Sequence, residues 1–488
     1  MADVEKNEKK AEGEDKKKNP PRPERKVSKQ STTTIDGKTL SYTATAGTLN
    51  LRDTKGEERA SIFHVSYLLD DVEDHSNRPV TFCFNGGPGS SAVWLQFGTF
   101  GPRRIDIPDT VAAPPSPNRM VDNAQGILDQ TDLVFIDPVG TGFSRTVGDT
   151  EAAEFHNVKE DVASVGEFIW RWLSRHNRWN SPKFLAGESY STTRAAALAN
   201  HLQEKGVTLN GLVLVSLATN FQTFVFEAGN DLPNVLYLPS YAATAWYHHK
   251  LLNRPDSLDE LLAEARRFAI EEYAPALAWG DSLPAERRRA VAEKLSALTG
   301  LPAAELERRK LKIHYLWFAR TLLGAGDRTI GRLDGRYVGP DLDPYDITMN
   351  RDPSYDAAIG AYTSLVNDFL RRELGWESAD SYDVLSIEVN HNWKWKHENK
   401  LGYINTTEDL RKAMVANPHL KLLFCNGMMD LATPFFAAEH TVAHLGISEE
   451  LRQNVSIASY EAGHMMYFHP PSLAKLRQDL VAFFEGAL

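Results

Sequence analysis

Residues 183–202 read KFLAGESYSTTRAAALANHL. A short apolar run ends in Gly187-Glu188-Ser189, and a helical pattern begins directly after it. Strand, sharp turn and helix in that order put Ser189 on the point of a corner, the arrangement that presents a nucleophile. The pattern for such corners is Gly-x-Ser-x-Gly, and here Ser191 stands where the second glycine should be. Whether Ser189 is a nucleophile or a turn serine has to be settled by the rest of the chain.

Working outward, further apolar runs each lead into a Gly-rich or Pro-rich loop: PVTFCF (79–84), TDLVFID (131–137), LNGLVLVS (209–216), HLKLLFCNG (419–427) and NVSIASYEAG (454–463). Continuous apolar runs of this length are expected of strands buried on both faces of a parallel sheet. Helical patterns lie between several of them, notably FHNVKEDVASVGEFIWRWLSRH (155–176) and TTRAAALANHLQEK (192–205). Strands alternating with helices predict an α/β domain. Before them, LSYTATAGTLNLRD (40–53) and ASIFHVSYLLD (60–70) alternate as antiparallel strands do. Residues 237–382 are helical in pattern and read as an insertion covering the ligand-binding edge, a lid. That leaves a core in two parts, residues 31–236 and 383–488, with the sheet resuming near SYDVLSIEVN (381–390).

Composition narrows the function. With 488 residues, 42% hydrophobic and 24% charged, the chain can bury a sizeable core. A net charge of −11 argues against general nucleic-acid binding, which calls for a basic face. No apolar run is long enough to span a bilayer, so no membrane partner is expected. The first 30 residues are rich in Lys, Glu and Pro and read as a disordered charged tail. They contain no apolar h-region, so the sequence as written implies a cytoplasmic protein, and a secreted or periplasmic one if the true N-terminus differs. The two cysteines, Cys83 and Cys425, both fall in strand-like runs and read as buried, inert thiols. His440 and His444 are four apart but have no third ligand in register, so neither a metal nor any other cofactor is called for.

Four segments carry chemistry: CFNGGPGSSAVW (83–94), GESYS (187–191), CNGMMDLATP (425–434) and YEAGHMMYFHPP (460–471). They supply Ser189, then Asp430, then His464, each after a predicted strand, which is the chain order of α/β-hydrolase triads. A serine hydroxyl needs a base to take its proton as it attacks, and imidazole does so near neutral pH. An acid on the far side of the ring fixes the tautomer and stabilises the imidazolium. The oxyanion needs backbone N–H donors, for which the residue after the nucleophile, Tyr190, and the glycine loop at Gly86-Gly87 are the candidates.

NGGPGSS (85–91), DPVGTGFS (137–144), GESYS, GMMDLATP (427–434) and AGHMM (462–466) together resemble the signature blocks of the serine carboxypeptidase family, across nearly the whole chain after the tail. The resemblance implies an α/β-hydrolase fold, with a mainly parallel central sheet flanked by helices and a helical lid insertion. It implies Ser189, Asp430 and His464 as the triad, Gly87 and Tyr190 as oxyanion donors, and Asn85, Gly86 and Glu188 as the group that binds the substrate's C-terminal carboxylate. The implied function is a serine-type peptidase of carboxypeptidase type, hydrolysing C-terminal peptide bonds through an acyl-enzyme. An esterase or acyltransferase on the same triad is the alternative, and a non-catalytic binding protein is disfavoured because all three triad candidates are present. A peptide is the expected partner; oligomeric state is not readable.

Two departures stand out. Thr99, in TFGP (99–102), replaces a glutamate that shares a proton with the equivalent of Glu188 in the family, so Glu188 is expected to hold its proton less readily. Cys83 replaces a tryptophan. Arg103 and Arg104 are a further source of positive charge, read as surface residues. DPVGTGFS reads as a turn that packs under the nucleophile corner.

Overall fold

The computed structural model describes residues 19–110, 112–324, 327–342, 349, 351–395 and 402–488. Four of the apolar runs become strands buried at every position, β4 (Val80–Phe84), β5 (Asp132–Ile136), β7 (Lys183–Glu188) and β8 (Gly211–Val215), whereas the run at 454–463 forms an edge strand in which only Tyr460 is buried. Before them come β1 (Lys26–Ile35), β2 (Lys38–Arg52) and β3 (Glu58–Leu69); β6 is the short Arg145–Thr146, and β9 (Lys421–Gly427) and β10 (Val455–Tyr460) follow late in the chain. They form one sheet in the order β1-β2-β3-β5-β4-β7-β8-β9-β10, with β6 beside β3. Pairing is antiparallel through β1, β2, β3 and β5 and parallel from β5 to β10.

The main helices are α1 (Val158–Arg175), α2 (Tyr190–Glu204), α3 (Leu232–Tyr247), α4 (Leu258–Phe268), α5 (Ala285–Thr299), α6 (Pro353–Asp368), α7 (Thr407–Ala416), α8 (Phe435–Ala443) and α9 (Pro470–Gly486). Alternate residues of each parallel strand point to opposite faces. Phe82, Leu185, Leu212 and Phe424 therefore join one core with α1, α2 and α7. Cys83, Ala186, Val213 and Leu423 join another with α9 and with α6. Each large apolar side chain buried this way contributes about 1.5–3 kcal/mol, which is why both faces are covered and the fold is α/β in layers. A third core belongs to the helices between β8 and β9 and reaches Met429, Leu431 and Phe435 beside the end of β9.

Two expectations are corrected. The charged tail was expected through residue 30, but Lys26–Gln30 pair with Thr43–Gly47 as the outer strand. Ladder hydrogen bonds come from the backbone, so an edge strand forms with polar side chains in solvent once Val27 finds the core. Residues 1–18 lie outside the described residues. The sheet does not resume at SYDVLSIEVN: β8 pairs directly with β9, leaving no gap in the ladder. That segment instead crosses the glycine loops through isolated bridges, Ser90 to Leu385 and Gly142 to Asp383, and turns into a short helix at Ile387–His391.

Candidate active site

The corner at Ser189 is strained. Its backbone has φ 62° and ψ −131°, a region that costs a non-glycine residue about 1–3 kcal/mol. The strain is held by Ser189 N–H donating to Val215 O (2.9 Å) and by Thr192 N–H and hydroxyl donating to Ser189 O (2.8 and 2.7 Å). The Ser189 hydroxyl does not cap α2, so it is not spent on the helix it precedes. Gly187 is required: a Cβ there would lie 2.5 Å from Ser191 O. The second glycine is not required, because Ser191 finds a place for its hydroxyl. It donates to Asn85 O and accepts from Arg194 Nη1, and Arg194 is anchored to Asp161 by a 2.9 Å ion pair.

Asp430 and His464 come from the loops after β9 and β10. Asp430 is fully buried, and its Oδ1 accepts the N–H groups of Ala432 (2.7 Å) and Thr433 (2.9 Å). Its Oδ2 meets the Thr433 hydroxyl at 2.8 Å and His464 Nδ1 at 2.7 Å. Those local bonds aim Asp430 at the imidazole. The ring is fixed through its backbone as well: His464 N–H donates to Leu333 O (2.6 Å), and its carbonyl accepts the Ser216 hydroxyl (2.7 Å). Burial pushes His464 down, but the charge and hydrogen bond of Asp430, aided by Glu188 and opposed by Arg332, outweigh it and the net shift is upward.

The glycine loop meets the corner from β4. A Cβ on Gly86 would stand 2.6 Å from Tyr190 N and 2.7 Å from Glu188 O, so only glycine lets the two loops touch. Gly87 has φ +102°, a conformation closed to other side chains. DPVGTGFS holds this loop from below: Asp137 Oδ1 accepts Ala92 N–H at 2.9 Å, and none of its residues lines the cavity.

Asn85 Oδ1 accepts Leu95 N–H (3.1 Å), which turns its amide toward Glu188. Glu188 is buried and accepts a hydrogen bond from the Tyr467 hydroxyl at 2.8 Å. The expected weakening of its hold on the proton is not found. Burial raises Glu188 to about 7, although the His464 charge and hydrogen bonds from Tyr467 and Asn85 pull the other way. Desolvation replaces the missing carboxylate as the cause. Thr99 is itself buried in an irregular turn, with its carbonyl taken by the Asn123 amide.

Ser189, Tyr190, His464, Asn85, Gly86, Gly87 and Glu188 all line one cavity of about 470 Å³, with Asp430 behind His464. Arg103 and Arg104 do not reach it; they pair with Asp122, Glu373 and Asp106. Sequence reasoning missed two contributors. Tyr467 lies three residues after His464, within a quoted block, and could have been found there. Arg332 lies in the helical insertion and carried no motif.

Comparison with known proteins agrees with this architecture. The serine carboxypeptidase family model matches residues 37–469. Serine carboxypeptidase-like 4 of Arabidopsis thaliana is 25% identical over 222 residues, 44% of this chain and 45% of the relative. Serine carboxypeptidase-like 5 of the same plant is 29% identical over 137 residues, 28% of this chain and 30% of the relative. The chain thus aligns with less than half the length of these relatives. Among solved structures, the prohormone-processing carboxypeptidase Kex1(Δ)p of Saccharomyces cerevisiae superposes with TM-score 0.57 at 16% identity, covering 91% of each chain, which is a likeness of fold.

Proposed function

Since the chain belongs to the serine carboxypeptidase family, we propose that it is a serine-type peptidase that removes residues from the C-termini of peptides through an acyl-enzyme. Ser189 Oγ attacks the scissile carbonyl while His464 takes its proton, and Asp430 holds the imidazole through Nδ1. The tetrahedral oxyanion lies on the N–H groups of Gly87 and Tyr190. Collapse breaks the C–N bond, and His464 returns the proton to the departing amine. Water activated by His464 then hydrolyses the ester on Ser189 and restores the hydroxyl.

The C-terminal carboxylate of the substrate is received by the Asn85 amide, the Gly86 backbone and a protonated Glu188. A carboxyl near 7 is neutral under mildly acid conditions and donates a hydrogen bond to a substrate carboxylate; ionised, it repels one. The observation that carries this reading is the 2.7 Å contact of His464 with buried Asp430 in a cavity shared with Ser189 on its strained corner.

The test combines labelling and turnover. A serine-directed phosphonate is expected to label Ser189, and Ser189→Ala to lose both labelling and hydrolysis; labelling that survives in the variant overturns the assignment. Blocked dipeptides with free C-termini should be cleaved and their amides spared. Equal cleavage of both removes the carboxylate-binding role of Glu188, and cleavage of esters alone replaces the peptidase reading with an esterase or acyltransferase one.

A further inference from the structure

Of the described residues lining the cavity, Arg332 is the one lysine or arginine. It is half-buried, and its Nε has no hydrogen-bond acceptor among the described residues. It is also not free to wander. Arg332 N–H donates to Asp352 Oδ1 (3.2 Å), and its carbonyl accepts Leu431 N–H (3.0 Å), next to Asp430. The following residue, Leu333, donates to Asp352 Oδ2 (3.0 Å) and accepts the His464 N–H (2.6 Å). The guanidinium lies over the Tyr315 ring at 5.5 Å. An arginine is thus pinned by its backbone to both loops that carry the base and its acid.

The anions around it are already committed. Asp352 spends both oxygens on the backbone of residues 332 and 333 and on Ser354, whose N–H and hydroxyl it accepts at 3.0 and 2.5 Å. Asp430 is saturated by Ala432, Thr433 and His464. Glu188 faces Tyr467 and Asn85, a separate set of neighbours. The cavity therefore has one end built for a terminal carboxylate and, elsewhere, a positioned cation whose fork has acceptors to gain.

We propose that Arg332 selects substrates with an acidic side chain at a residue flanking the bond that Ser189 attacks. The proposal rests on the peptidase reading above and deepens it to a substrate class. A side chain, not the chain terminus, is the occupant, because the groups suited to the terminus are gathered at Asn85, Gly86 and Glu188. A matched acidic group would make charge-assisted hydrogen bonds that its amide analogue cannot.

The experiment compares kcat/KM for peptides with free C-termini that differ only in Glu, Gln or Lys at each of the two positions flanking the scissile bond. Wild type is expected to prefer Glu to Gln by about tenfold at one position, with the ratio falling as salt is raised. Arg332→Gln should bring that ratio to about one, Arg332→Lys should retain part of it, and Arg332→Glu should move the preference to Lys. Equal cleavage of Glu and Gln peptides by wild type overturns the proposal without needing any variant to fold. So does an Arg332→Gln enzyme that loses all three peptides in equal proportion, since that is the behaviour of a structural residue. A pair of phosphonates with acidic and neutral side chains separates this from failure of the peptidase reading. If no peptide is cleaved, that reading falls, while a faster labelling of Ser189 by the acidic phosphonate still supports Arg332 and equal labelling overturns it.

Discussion

The sheet and the helical insertion build one cavity by different means. Ser189, Asp430 and His464 each stand just past the end of a parallel strand, and β7, β8, β9 and β10 are neighbours in the ladder. Strand spacing of about 4.8 Å and local bonds such as those from Ala432 and Thr433 to Asp430 fix their positions. Arg332, Asp352 and Tyr355 reach the same cavity from the insertion: Ile330, two residues before Arg332, packs in the helical core, while Leu333 and Tyr355 lean on the sheet's core. If Arg332 acts as proposed, the difference teaches that the triad and the insertion divide chemistry from side-chain selectivity. Changes at Ser189, Asp430 or His464 should abolish every substrate alike, and changes in the insertion should re-rank them by side chain.

The largest expected effect tests the first half of that contrast. Ser189→Ala should lower kcat by about 10⁴-fold or more for all peptides, with Asp430→Asn close behind, as removal of a triad member does. Gly86→Ala is the structural counterpart. Its Cβ would meet Tyr190 N at 2.6 Å, so the loop that carries Gly87 must move. A loss of about 10²-fold in kcat is expected from one displaced oxyanion donor. Unequal losses among substrates would break the division between core and insertion.

The same contrast explains what could be read in the sequence. The strand ends were legible because each is announced locally: a continuous apolar run, then a glycine or an Asp-turn with short-range partners. Ser191 raised a doubt that only the fold resolves: Arg194 is a helical turn away, but the Asn85 carbonyl to which the hydroxyl donates comes from the glycine loop about 100 positions earlier. SYDVLSIEVN was misread because an apolar segment crossing a loop and one entering a sheet share the same local pattern. Arg332 left no signal at all. The role proposed for it depends on contacts with Leu431 and, through Leu333, with His464, about 100 and 130 positions away along the chain.

Glu188 gives the next largest effect, because it is a core residue whose proposed role is recognition. With its carboxyl near 7, cleavage of free-carboxylate peptides should fall about tenfold per unit above that pH. Glu188→Gln should remove this alkaline fall, and Tyr467→Phe should shift it upward by deleting a hydrogen bond that favours the ionised form. Stability follows the same sign. The unfolded chain releases this proton near 4.5 and the folded one near 7, so its stabilising contribution is full below about 4.5 and lost as pH rises through 7. Relative to wild type, Glu188→Gln should gain about 3 kcal/mol between those limits in urea unfolding. A pH profile unchanged by Glu188→Gln would remove carboxylate recognition from this end of the cavity.

A smaller effect belongs to Ser191. Replacing it with alanine leaves the Arg194 guanidinium and the Asn85 carbonyl one partner short in a buried site. A loss of about 1–3 kcal/mol is expected in equilibrium unfolding, with selectivity between Glu and Gln peptides unaltered, because both partners belong to the core. A change in that selectivity would show that the corner and the Arg332 segment are coupled.

The smallest effect should come from Arg103 and Arg104, the first arginines after the glycine loop in sequence. Arg103 is held by Asp122 at 3.3 Å and Glu373 at 3.1 Å, and Arg104 by Asp106 at 3.3 Å, with no part in the cavity lining. Partly exposed pairs of this kind are worth about 0–1 kcal/mol. Arg103→Gln and Arg104→Gln should therefore leave KM for free-carboxylate peptides within about twofold, the change that a few tenths of a kcal/mol produce. Their proximity to Asn85 along the chain is cancelled by the turn at Gln96–Phe100 and the short strand Arg103–Ile105, which carry them away from the site. Arg332, about 230 residues further on, reaches the cavity because the insertion folds back over the strand ends. If instead the Arg103 variant lost cleavage of free-carboxylate peptides and the Arg332 variant did not, positive charge would be assigned to the core and the insertion would be left without a role in selection.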